Sequence, residues 1–201
     1  MKNTRLEAFS DAVFAVAITL LALDLPNRPI HSDRTLLSML GAEWPHFAAY
    51  VVSFVTIGII WVNHHEMLRE AAHIDRSALL LNLLLLLAIV ELPWATSVLA
   101  THLTQPDDGR LAAVIYAGSL LVMGAAFTLV HAYLLRDPRR RASRSIEGAQ
   151  GVALRRNLAG ILPYVLGCAL AFVSPFLTVG ACAMAAVYYA VHPRRQPDSS
   201  D

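Results

Sequence analysis

The chain is short of charge. Asp, Glu, Lys and Arg make up 15% of its 201 residues, against about 25% in an ordinary soluble domain, while apolar types make up 56%. Mean hydropathy is +0.52. So little charge excludes a water-exposed surface of normal size. Cysteine is almost absent: Cys168 and Cys182 both fall inside apolar runs and read as small packing residues. That excludes a disulfide framework and a thiolate metal site. Neither a Gly-rich phosphate loop, a His-Glu-x-x-His pair nor a Gly-x-Ser-x-Gly elbow occurs. The sequence therefore gives no footing to an enzyme and asks for no cofactor or metal. A small-x-small cleavage pattern is also missing after the first apolar run, and Asp11 interrupts that run. Its helix is expected to be retained rather than removed as a signal.

What the chain has instead is six apolar runs, at 9–25, 44–63, 78–100, 111–135, 158–174 and 176–191. A helix rises about 1.5 Å per residue, so about 20 residues cross a hydrocarbon core about 30 Å thick. The third and fourth runs fit easily; the first, fifth and sixth are short. Because the apolar residues continue without alternation, strands are excluded. The expectation is an all-α polytopic membrane protein of six transmembrane helices, organised as one unit over 1–192 with a disordered polar tail at 193–201. Only Pro175 separates the last two runs, so a hairpin dipping into the membrane stays open beside two full spans.

Orientation follows from the basic residues. With the N-terminus in the cytoplasm, thirteen of the sixteen fall on the inner side, and only Arg28, Arg34 and Arg110 fall outside. Both termini are thus expected on the cytoplasmic side of the cell membrane. The Arg-rich segment 136–157 reads as a topology determinant in contact with anionic headgroups rather than as a nucleic-acid site.

The first run is the informative one. At about 100° per residue, Arg5, Phe9, Val16, Leu20 and Leu23 fall within about 40° of one line, with Thr19 about 60° to one side. Asp11 falls at about 220°, away from the stripe. Periodicity alone leaves the stripe open between a lipid-facing face, a core face and a pore lining. An ionised carboxylate within a span costs about 2.5–3.5 kcal/mol and needs a partner, water or a proton. Asn63, His64 and His65 close the second run at matching depth, and Arg76 and Asn82 open the third. A network of Asp11 with Asn63, His64 or His65 is therefore expected, and histidine would make it sensitive to pH near neutrality. The alternative is that the histidines are interfacial and solvated.

The order Arg5-x-x-x-Phe9-Ser10-Asp11, followed by Ala-Val-Phe-Ala-Val-Ala-Ile-Thr-Leu-Leu, resembles the first helix of the endolysosomal potassium channel family and its bacterial members. Trp61-x-Asn63-His64-His65 and the Leu-rich run reaching Leu92-Pro93 resemble the bacterial branch. The resemblance implies a potassium-favouring cation channel whose six-helix subunits assemble as a homotetramer, with the first helix of each lining the pore. It implies Val16, Leu20 and Leu23 as a hydrophobic constriction and Thr19 as a hydroxyl ring beside it. It further implies Arg5, Phe9, Ser10 and Asp11 as the signature that anchors the pore helix. Val16 departs from the bulkier Ile or Leu of that position.

The chain contains no Thr-Val-Gly-Tyr-Gly carbonyl filter. An aliphatic ring would instead gate by dewetting, with selectivity set by width, hydroxyls and the surrounding field. Asp24 lies near the outer end of the first helix, and Asp33, Glu43, Asp107 and Asp108 lie in outer loops. They either concentrate cations at the mouth or are ordinary solvated acids. Glu91, in the outer half of the third run, reads as a proton site, a water-cavity residue or a hydrogen bond between helices. Two other functions stay open: a proton-coupled carrier using Asp11, His64, His65 and Glu91, and a membrane scaffold.

Overall fold

The computed structural model describes residues 3–26, 35–105, 107–136 and 150–191, and every regular element among them is a helix. The helices are α1 (Asn3–Leu21), which runs on into a 3₁₀ turn at Ala22–Asp24, then α2 (Leu36–Ala42), α3 (Trp44–Arg69) and α4 (Arg76–His102). They continue with α5 (Asp108–Arg136), α6 (Gln150–Ala171) and α7 (Pro175–Val191). Each helix but α2 takes up all or most of one of the six apolar runs. The short α2 was not anticipated; it is capped by Thr35, whose hydroxyl accepts the Ser38 amide at 3.3 Å. The tail from 193 and the segment 137–149 lie outside the described residues.

The helices outrun the apolar runs at several ends, because helices continue through polar residues at the membrane boundary. The first helix begins at Asn3 rather than at 9, and α3 continues past residue 63 to Arg69. In contrast, α6 stops at Ala171, and the turn before α7 takes up 172–174. Among the described residues, four segments are long and apolar enough to cross a membrane: Thr4–Asp24, Trp44–Arg69, Arg76–His102 and Asp108–Arg136. The last two helices carry shorter apolar stretches, Asn157–Ala171 and Pro175–Val187.

Successive long helices run antiparallel. Contacts near one end join the start of α1, the end of α3, the starts of α4 and α6 and the end of α5. At the other end, Trp44 opening α3 stacks on Phe176 opening α7, with ring centroids 6.1 Å apart. Packing centres on α4 and α5: α4 lies against α1, α3 and α5, and α5 against α4, α6 and α7. The buried faces of both are rich in small residues, including Ala88, Ala95, Ala112, Ala113, Ala117 and Gly124. Small residues let helix backbones approach closely where lipid removes the hydrophobic drive for association. Gly109 meets a tighter demand in the α4–α5 turn, where an added Cβ would stand 3.1 Å from the carbonyl oxygens of both His102 and Leu103.

Asp75 fixes the turn between α3 and α4. One carboxylate oxygen caps α4 by accepting the Ala78 amide at 2.9 Å. The other accepts the Tyr133 hydroxyl of α5, also at 2.9 Å. One acid thus satisfies an orphan helix-terminal donor and ties the third helix of the group in place.

Candidate functional site

The two faces of α1 divide cleanly. Leu6, Ser10, Phe14, Ala17 and Leu21, spaced by three and four residues, are buried against α3 and α4. The stripe residues are open: Phe9 is 52% exposed, Val16 54%, Leu20 37% and Leu23 79%. Arg5 and Thr19 are exposed with them. The stripe is therefore not a core face of the chain that carries it. The exposed Thr19 hydroxyl donates to the Val16 carbonyl at 2.8 Å, which occupies its proton and leaves the oxygen able to accept.

The buried face of α1 is anchored by polar groups. Asn82, fully enclosed in the Leu-rich part of α4, donates its amide to Ser10 Oγ at 3.1 Å and accepts from His64 Nε2 at 2.7 Å through Oδ1. One side chain thereby ties α4 to both α1 and α3. Phe14 leans on the His64 ring, centroids 5.3 Å apart.

The expected pairing of Asp11 with Asn63, His64 or His65 is corrected by the geometry. Asp11 Oδ1 accepts from Trp61 Nε1 at 2.9 Å, and His65 Nδ1 lies 2.8 Å from Glu7 Oε1 instead. The reason is register. Where α1 and α3 run antiparallel, position 7 is level with 65, so position 11, one turn outward, is level with 61. His64 turns toward α4 rather than toward Asp11, and the half-buried Asn63 belongs to neither pair. Sequence depth alone gives Asn82 as a neighbour and does not single out Trp61; the signal for that partner is the four-residue step shared by 7/11 and 61/65.

Glu91 lies apart from this end. It accepts a hydrogen bond from Ser119 Oγ of α5 at 3.0 Å, so the helix-to-helix bond is the one found. A second hydroxyl group went unread: Ser53 Oγ lies 2.8 Å from Thr96 Oγ1 and 3.0 Å from the Tyr116 hydroxyl, joining α3, α4 and α5. Asp24 is exposed in the 3₁₀ turn, and Asp33 lies outside the described residues. No group of three His, Cys, Asp or Glu side chains suited to a metal ion occurs among the described residues.

With the geometry established, comparison with known proteins identifies the lineage. The family model described as endosomal/lysosomal potassium channel TMEM175 matches residues 5–93, which is α1 through most of α4. A potassium channel of Streptomyces collinus is 43% identical over 193 residues, covering 94% of this chain and 91% of that one. This chain belongs to the TMEM175 family. A crystal structure of a lysosomal potassium-selective channel TMEM175 homologue from Chamaesiphon minutus superposes with a TM-score of 0.84 at 33% identity, covering 94% of this chain and 97% of that one. The endosomal/lysosomal proton channel TMEM175 of Bos taurus is 33% identical over 135 residues, 63% of this chain and 28% of that longer protein. The chain is accordingly a multi-pass membrane protein of the TMEM175 channel family. The family match spans the stripe of α1, the Ser10–Asn82–His64 chain and the Asp11–Trp61 bond.

Proposed function

We propose that this chain is one subunit of a potassium-favouring cation channel, a homotetramer in the cell membrane whose pore is lined by α1 of each copy. Each subunit crosses the membrane six times, with both termini cytoplasmic, and 1–192 form a single unit. The observation that carries the reading is the open stripe of Phe9, Val16, Leu20 and Leu23 on a helix whose other face is anchored by polar groups. The bonds to α3 and α4 hold the rotation of α1, so its open stripe keeps one direction, as a pore lining requires. One helix cannot enclose a pore, and closed rotational symmetry is the usual solution.

In this arrangement Val16, Leu20 and Leu23 form rings that exclude water when narrow and conduct when widened. Thr19 places a ring of hydroxyl oxygens between the Val16 and Leu20 levels, with lone pairs free for a cation because each proton is held by a carbonyl. Arg5 and Phe9 continue the line at the cytoplasmic end, and Ser10 and Asp11 hold the helix. Selectivity without a carbonyl cage is modest. A carrier working through Asp11, His64, His65 and Glu91 gains no support from the geometry: Asp11 is bonded to Trp61, and Glu91 stands on another pair of helices.

The test is a bi-ionic reversal potential of the purified protein in a planar bilayer, with potassium on one side and sodium on the other. The reading expects a current that reverses on the potassium-selective side and changes with Thr19→Val. Saturable, pH-driven uptake without a measurable unitary current would assign the chain to the carrier class.

A further inference from the structure

The channel reading leaves a groove between α6 and α7 without a role, and this part of the chain lies beyond the residues matched by the family model. The groove has a volume of about 800 Å³ and only apolar lining, within the range of about 300–1,000 Å³ of small-molecule pockets. Small residues keep it open: the buried Ala181 and Ala185 of α7 form its floor, Ala159 and Ala169 of α6 line it, and the exposed Leu162 and Leu166 stand along its rim. A pocket for a polar solute carries a few convergent polar side chains, and this one has none among the described residues.

Its dimensions and its one charged end identify the occupant. Positions 159, 162, 166 and 169 share one face of α6, and Arg155 lies on the same face one turn before them. From Ala159 to Ala169 the groove runs about 15 Å, half of a hydrocarbon core about 30 Å thick, which is the depth of one leaflet. Arg155 precedes the apolar stretch Asn157–Ala171, is exposed, and has no acidic partner among the described residues. Arg156 is its neighbour in the sequence.

We propose that the α6–α7 groove holds one acyl chain of an anionic phospholipid, with the headgroup phosphate paired to Arg155. The site rests on the reading that α6 and α7 lie in the membrane with Arg155 at its cytoplasmic face. The apolar face takes the chain, and the guanidinium, with its planar fork of donors, takes the phosphate. One basic residue near an anionic surface is worth about 1 kcal/mol, or about fivefold in occupancy.

The full-length chain, equilibrated in bilayers of equal phosphatidylglycerol and phosphatidylcholine and then extracted in mild detergent, is assayed for lipid retained per chain by mass spectrometry. Wild type retains phosphatidylglycerol over phosphatidylcholine. Arg155→Gln lowers that preference about fivefold, Arg155→Lys keeps most of it, and Ala169→Phe, which fills the groove, removes both lipids. An unchanged preference in Arg155→Gln overturns the proposal, and so does undiminished lipid in a folded Ala169→Phe chain. A change in particle mass on Ala169→Phe would give the groove to a second copy and also overturns it. Because Arg155 is exposed, its variants fold even where Ala169→Phe does not. Retention is counted without any current, so a non-conducting chain that still selects phosphatidylglycerol through Arg155 defeats the channel reading and leaves this site standing.

Discussion

Replacing Asn82 by Leu is the sharpest test of how the first helix is held. Asn82 is 1% exposed and makes two side-chain bonds, to Ser10 of α1 and His64 of α3. Leucine fits the surrounding Leu-rich packing, so the loss is polar rather than steric. Ser10 can turn its hydroxyl to a carbonyl one turn back in its own helix, at little cost. The His64 ring has no such recourse, and an orphaned buried donor costs about 1–3 kcal/mol. Ser10→Ala removes one interhelical bond, which within membranes averages about 0.6 and reaches about 1.7 kcal/mol. The Leu variant should therefore be the more destabilised. The double variant should cost less than the sum of the singles by about 0.6 kcal/mol or more, because their shared bond is lost once. Reversible unfolding of the detergent-solubilised protein by sodium dodecyl sulfate, followed by helical circular dichroism, measures all three. Additivity to within about 0.3 kcal/mol would refute the coupling of Ser10 to Asn82, and with it the anchor.

Three further outcomes are expected. Asp11→Asn keeps an acceptor for Trp61 Nε1 and retains most of the current, whereas Asp11→Ala destabilises the oligomer or abolishes conduction; a stable, fully conducting Asp11→Ala protein removes the role of that bond. Leu20→Ala widens the constriction and raises single-channel conductance severalfold, and an unchanged conductance in a correctly assembled variant counts against a hydrophobic gate. Glu91→Gln still accepts from Ser119 and leaves current and its pH dependence unaltered; loss of a proton-driven flux in that variant would instead restore the carrier reading.

Much of this architecture was legible in the sequence because a bilayer constrains it so heavily. Long apolar runs with few charges become helices, and the stripe of α1 and the depth of the polar residues follow from a constant rise and turn. The side on which each residue finds its partner was harder. Depth alone matches Asp11 to Asn63, His64 or His65, but antiparallel register sets its partner one turn away, at Trp61. Periodicity within one helix carries no information about the phase of its neighbour. The helix ends were missed for a related reason: apolarity marks the membrane, and hydrogen bonding carries α1, α3 and α6 past it. Ser53, Thr96 and Tyr116 are spread over three helices, and only their packing brings the hydroxyls together.

The most direct test of the central claim is cysteine accessibility along α1, in a channel whose Cys168 and Cys182 have been replaced by alanine. A water-soluble, charged thiol reagent is applied while current is recorded from single-cysteine variants at 14, 16, 17, 20, 21 and 23. The account predicts block or slowed conduction at 16, 20 and 23, and none at 14, 17 and 21, which face α3 and α4. Modification without effect at all three stripe positions, in variants that conduct, would mean that the face of Val16, Leu20 and Leu23 does not line the pore.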